Sequence, residues 1–96
     1  EAVSALIVAL GDADNATRQF AATSLVGFDG EIVEPELLDV VTDQSATEQR
    51  RAQAVFVLGK VGGEPAREAL DRLLDTTESE QIRKQAFSAL SKLGGR

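Results

Sequence analysis

Apolar and polar positions along this chain follow a helical period three times over. Arg18, Arg51 and Arg83 stand 33 and 32 residues apart, and small or apolar residues fall three, four, seven and ten positions after each. These are Ala21, Ala22, Leu25 and Phe28, then Ala54, Val55, Leu58 and Val61, then Ala86, Phe87, Leu90 and Leu93. Such offsets trace one stripe on a helix. Gly59 and Ser91, eight past their arginines, keep a neighbouring position small, which predicts close approach of another helix. Gly62 and Gly94 follow the last apolar residue, where helix C-caps stand.

Each of these helices has a shorter partner upstream. Ala2 to Leu10 predicts the first; Pro35 to Val41 and Pro65 to Leu74 predict the others, each opening with proline at or near its first turn. Leu37 lies twelve residues beyond Leu25, and Leu70 twelve beyond Leu58, so the link between units is constant. Asp12, Asp43 and Asp75 begin short polar turns between paired helices. Strand-like alternation occurs nowhere. The expectation is an all-α chain of six helices in three hairpins, with units at about 1–28, 32–62 and 64–94. Stacked units of this kind make an α-solenoid, or α-α superhelix.

The run Arg-x-x-Ala-x-x-x-Leu-Gly-x-Val-Gly at Arg51 to Gly62, after a polar turn, resembles the HEAT repeat. More narrowly, it resembles the short variety named after phycobilisome lyase subunits, over about residues 3 to 94. The first unit departs, with Val26 after Leu25; Thr17 and Arg50 stand where the family favours an aliphatic residue, and only Ile82 conforms. The resemblance implies a solenoid whose second helices line a concave face. It also implies that the pairs Asp12 and Arg18, Asp43 and Arg51, and Asp75 and Arg83 form a hydrogen-bonded ladder between units. A planar guanidinium binding carboxylates suits such a task.

Composition narrows the chemistry. The 96 residues include no His and no Cys, which removes the common zinc, haem and iron–sulfur ligand sets and His-dependent nucleophilic catalysis. Asp12-Ala-Asp14-Asn15-Ala16-Thr17 lacks the donors and glycine of a calcium loop. No cofactor and no enzymatic activity are expected. A net charge of −6 opposes nucleic-acid phosphate, and no apolar run is long enough to span a bilayer. Neither nucleic acid nor membrane is therefore an expected partner, and cytoplasm is the default location. The acidic, lysine-poor balance would suit a high-salt cytoplasm, where screening removes self-repulsion.

The stretch Glu1 to Leu10, which holds helix one, carries a single charge and is apolar on every side, a pattern of a helix buried all round. Something is expected to cover Val3, Ile7 or Val8: a preceding repeat in a longer array, or a second copy of the chain. The last helix, with Gln81, Lys84, Gln85, Ser88 and Lys92, reads as a finished end.

Positions two, five and nine past each arginine point away from the core stripe. These are Phe20, Thr23 and Gly27, then Gln53, Phe56 and Lys60, then Gln85, Ser88 and Lys92. An aromatic exposed on such a face is a reasonable anchor for a partner. Glu34, Glu36, Asp39, Glu68 and Asp71 would then occupy the opposite, convex side. The expected function is a non-catalytic scaffold that binds a protein or peptide through Phe20, Thr23, Gln53, Phe56, Lys60, Gln85, Ser88 and Lys92. The alternatives are an accessory or chaperone-like subunit of an enzyme complex, and a structural spacer. On this reading Leu58→Ala should cost about 2 to 5 kcal/mol in chemical denaturation, whereas Phe56→Ala should leave the fold intact and weaken partner capture.

Overall fold

Six helices account for the regular structure of residues 2–94, the part described in the computed structural model. They are α1 (Ala2–Ala9), α2 (Asn15–Val26), α3 (Gly30–Thr42), α4 (Glu48–Val61), α5 (Glu64–Thr76) and α6 (Glu80–Lys92). Each odd-numbered helix packs on the even-numbered one that follows it, giving three hairpins. The all-α, helical-repeat class is as the periodicity predicted.

The three second helices share one starting device. The side chains of Asp14, Thr47 and Ser79 accept hydrogen bonds from Thr17 N, Arg50 N and Ile82 N at 3.0, 3.1 and 3.1 Å. Each satisfies a backbone donor that the first helical turn leaves without a partner. In α3 the prediction is corrected. That helix starts at Gly30, capped by Asp29, so Pro35 lies inside it rather than at its first turn. Proline has no N–H to give the Glu31 carbonyl, and its ring is tolerated because this flank of α3 is open to water.

The stripe behaves as one core. Ala21, Ala54 and Ala86 are fully buried, as are Leu25, Leu58 and Leu90, joined by Leu10, Leu37 and Leu70 from the hairpin partners. The second helices contact one another in the order α2, α4, α6, most extensively between α4 and α6, whereas the first helices touch one another sparsely. The close approach predicted at Gly59 is present. A Cβ there would lie 2.8 Å from Ala89 Cβ and 2.9 Å from its Cα. Gly62 caps α4 with φ −76°, not left-handed; its constraint is steric, since a Cβ would meet Leu58 O at 2.6 Å and Ala66 Cβ at 2.5 Å. Gly94 does take a left-handed φ of +84°.

Both ends differ from expectation. Val3 and Ile7 are buried by the chain itself, and of the three residues expected to need a cover only Val8 is exposed. At the other end Phe87 is 54% exposed, although Ala22 and Val55 at the same offset are buried. Among the described residues no second helix stands beyond α6 to cover that flank, so α6 carries an exposed ring on the end that its polar residues made look finished.

Gly59→Ala tests the α4–α6 contact. A helix interior normally gains about 1 kcal/mol from this change, but here the new methyl meets backbone that must move, at a cost of about 1 to 3 kcal/mol. We expect a net loss of stability in urea denaturation; a gain would show that α4 and α6 can separate freely.

Candidate partner-binding surface

None of the nine outward positions on the second helices is buried. Phe20, Thr23, Gly27, Lys60, Ser88 and Lys92 are exposed, while Gln53, Phe56 and Gln85 are half-buried. The two aromatic anchors are therefore not equivalent. Phe20 is 69% exposed, whereas Phe56 packs one side against the core and carries Lys60 Nζ 5.5 Å from its ring centroid. That distance is within cation–π range. Phe56→Ala thus removes core packing as well as surface, and some stability loss, smaller than for Leu58→Ala, replaces the neutral outcome expected from sequence.

The arginine series is used differently from the ladder that the resemblance implied. Arg18 donates to the carbonyls of Asp12 and Ala13 at 2.7 and 3.1 Å and to Asn15 Oδ1 at 3.1 Å. Arg51 donates from Nε and Nη2 to Val41 O at 3.1 and 3.0 Å, and Arg83 donates to Thr77 O at 2.8 Å. Each guanidinium ties the second helix of its own hairpin to the turn, as Arg18 and Arg83 do, or to the last turn of the first helix, as Arg51 does. The physical reason is that a helix C-terminus ends in carbonyls with no intrahelical donor, and a cation is favoured there. Arg83 also pairs with Glu80 at 2.7 Å. Arg18 is the most buried of the three, and its Nε has no hydrogen-bond partner.

Two of the aspartates are occupied inside their turns. Asp12 accepts from Asp14 N at 2.8 Å, and Asp43 accepts from Ser45 N and Oγ at 2.9 and 2.6 Å. The Ser45 hydrogen bonds hold the Asp43 carboxyl below its ordinary range, helped by Arg50 and Arg51. Thr17 does the same for Asp14, with a smaller contribution from Arg18. Asp75 is exposed in the last turn of α5.

The polar links between units come from other residues. Ser4 Oγ donates to Glu36 Oε1 at 3.2 Å, and Arg50 Nε donates to Ile7 O at 3.4 Å, joining units one and two. Glu34 Oε2 accepts from Gly63 N and Ala66 N at 2.9 and 3.0 Å, and Ser79 Oγ donates to Glu48, joining units two and three. Glu34 and Glu36 are therefore half-buried spacers between units and do not stand on an open convex face. The N-cap of α5 is Gly63, which has no side chain to cap the helix, and Glu34 supplies the missing acceptor from the neighbouring hairpin. The sign of this in the sequence was Arg50, a charged residue where the resembling family favours an aliphatic one.

Clefts of about 280 and 360 Å³ open at the boundaries between units, the first mainly between α1 and α3 and the second beside the turns. The first is lined by Ser4, Val8, Asp39 and Arg50 among others, the second by Gln44, Arg51, Thr77 and Ser79. Phe20, Phe56, Lys60 and Lys92 line neither. The surface they form is open, a shape that suits a macromolecular contact better than an enclosed small ligand. Among the described residues no helix is long and apolar enough to cross a membrane.

The chain is 50% identical over 67 residues to a HEAT repeat-containing taxis protein of Halobacterium salinarum. With the three-hairpin stack in view, that likeness supports repeats of the HEAT type. The match takes in 70% of this chain but only 16% of the relative, so the chain spans about a sixth of the length of the curated protein it matches. No family model matches the chain.

Glu34→Ala should cost about 1 kcal/mol, the usual loss for an N-cap acceptor, and Glu34→Gln should cost less because an acceptor oxygen remains. Amide exchange at Gly63 and Ala66 reports the cap directly: faster exchange in Glu34→Ala is expected, and unchanged exchange would show that α5 does not depend on α3 for its start.

Proposed function

We propose that this chain is a non-catalytic binding module that holds a protein or peptide on the inner face of its solenoid. The observation that carries the reading is Phe20, an aromatic ring 69% exposed on a second helix, with Phe56 and Lys60 on the next. Supporting it is the packing asymmetry: second helices crowd together while first helices barely touch, so an array of such units curves toward α2, α4 and α6. A large exposed aromatic at that face costs solubility without helping the core, and binding hot spots favour such rings.

The name of the Halobacterium relative bears on what the partner is. Its taxis role comes to this chain as part of the proposal: the captured protein would belong to a taxis apparatus. That the repeats are of the short phycobilisome-lyase variety, that they continue in a longer array, and that the protein works in the cytoplasm belong to the same proposal. The first of these rests on the Arg51–Gly62 motif alone. An accessory subunit of an enzyme complex would use the same face and differs only in its partner.

Phe20→Ala and Ile32→Ala make the test. Both remove an exposed apolar side chain, one from α2 and one from the first-helix layer. We expect Phe20→Ala to weaken capture of the purified partner by about tenfold or more, as hot-spot truncation does, with Tm nearly unchanged, and Ile32→Ala to leave capture intact. The reverse pattern would move binding to the first-helix side and overturn the reading.

A further inference from the structure

Charge is divided between the two helix layers. Helices α2, α4 and α6 carry seven basic residues, including all three lysines, against two acidic ones, a net of +5. Helices α1, α3 and α5 carry two arginines against eight acidic residues, a net of −6. A chain of net charge −6 thus presents its positive charge on the layer that bears Phe20 and Phe56.

The positive groups on that layer are not equally available. Arg18, Arg50, Arg51 and Arg83 donate to backbone carbonyls within the stack. Lys60, Lys84 and Lys92 are exposed. The two acids of the layer stand in the first turns of α4 and α6, where Glu48 accepts from Ser79 and Glu80 pairs with Arg83. Beyond those first turns neither helix carries a carboxylate. Lys60 and Lys92 both lie within one turn of the point where Gly59 meets Ala89, so they flank the closest crossing of α4 and α6. The result is a strip of Gln53, Phe56, Lys60, Gln85, Ser88 and Lys92 that combines a half-exposed ring, neutral polar groups and two cations.

We propose that this strip receives an acidic protein segment: Asp or Glu side chains set against Lys60 and Lys92, around an apolar anchor laid on Phe56. The proposal rests on the binding-module reading and adds to it the chemistry of the partner. Rim charges of this kind select the partner and speed its encounter more than they add affinity. A nucleic acid is the weaker candidate, because three exposed lysines give few phosphate contacts and the first-helix layer and turns repel the rest of the strand.

The test is a titration of the isotope-labelled chain, followed by amide shifts at low salt, with three peptides of equal length that alternate Leu with Glu, Gln or Lys. Oligothymidylate and a dilution series of the chain alone complete the set. We expect the Glu peptide to bind about tenfold tighter than the Gln peptide, to perturb Gln53, Phe56, Lys60, Ser88 and Lys92, and to weaken with added salt. Lys60→Glu with Lys92→Glu should abolish that preference while leaving the helical spectrum unchanged. Equal binding of the Gln peptide on the same residues overturns the acidic partner and leaves the binding module standing. Perturbation of this strip by none of the peptides overturns the acidic-partner proposal, and the binding-module reading is then decided by Phe20→Ala. Tighter binding of oligothymidylate, or shifts on the strip that depend on protein concentration alone, would reassign it to nucleic acid or to a second copy and overturn the proposal.

Discussion

The structure depends on a second helix being buried on two flanks at once. In α4 the core stripe of Ala54, Leu58 and Val55 faces its own hairpin and Val57 is fully buried, while Gly59 allows α6 to approach until a methyl group would not fit. A helix with so much of its circumference covered has only a narrow strip left for solvent. That strip is where Gln53, Phe56 and Lys60 stand. The constraint that makes the stack therefore also limits where any partner can reach it.

Polar groups serve the same geometry at two levels. Within a hairpin, an arginine at the start of the second helix reaches the turn carbonyls, and a Thr, Ser or Asp caps that helix. Between hairpins, acids and serines bridge: Glu34 caps α5 from outside, Glu48 meets the Ser79 that caps α6, and Ser4 meets Glu36. Acidic residues are thereby drawn into the first-helix layer and the unit boundaries. The positive strip on the second helices follows from this division, since the four arginines of that layer are taken up by carbonyls while its three lysines are exposed.

How much was legible in advance depended on whether a residue's role repeats. Leu25, Leu58 and Leu90 recur at one offset, and their burial could be read by counting. Gly59 could be read too, because a small residue inside an apolar stripe has few other uses. Arg18, Arg51 and Arg83 were located correctly, yet their acceptors were not, because spacing does not distinguish an aspartate carboxylate from a carbonyl beside it. Phe87 was misassigned for a related reason. Periodicity gives the face of a helix, and whether that face is covered depends on the presence of a neighbour.

The sequence by itself determined the helical class, the three-unit period, the core stripe and the absence of His and Cys, because these follow from residue identity and local spacing. Only the tertiary structure decided which carbonyls the arginines satisfy, that Glu34 begins a helix belonging to another hairpin, and that Phe20 is open while Phe56 is half-covered. The Glu34 cap depends on groups roughly 30 residues apart coming within hydrogen-bond distance, and the others on how neighbouring helices and turns pack, which sequence periodicity does not encode.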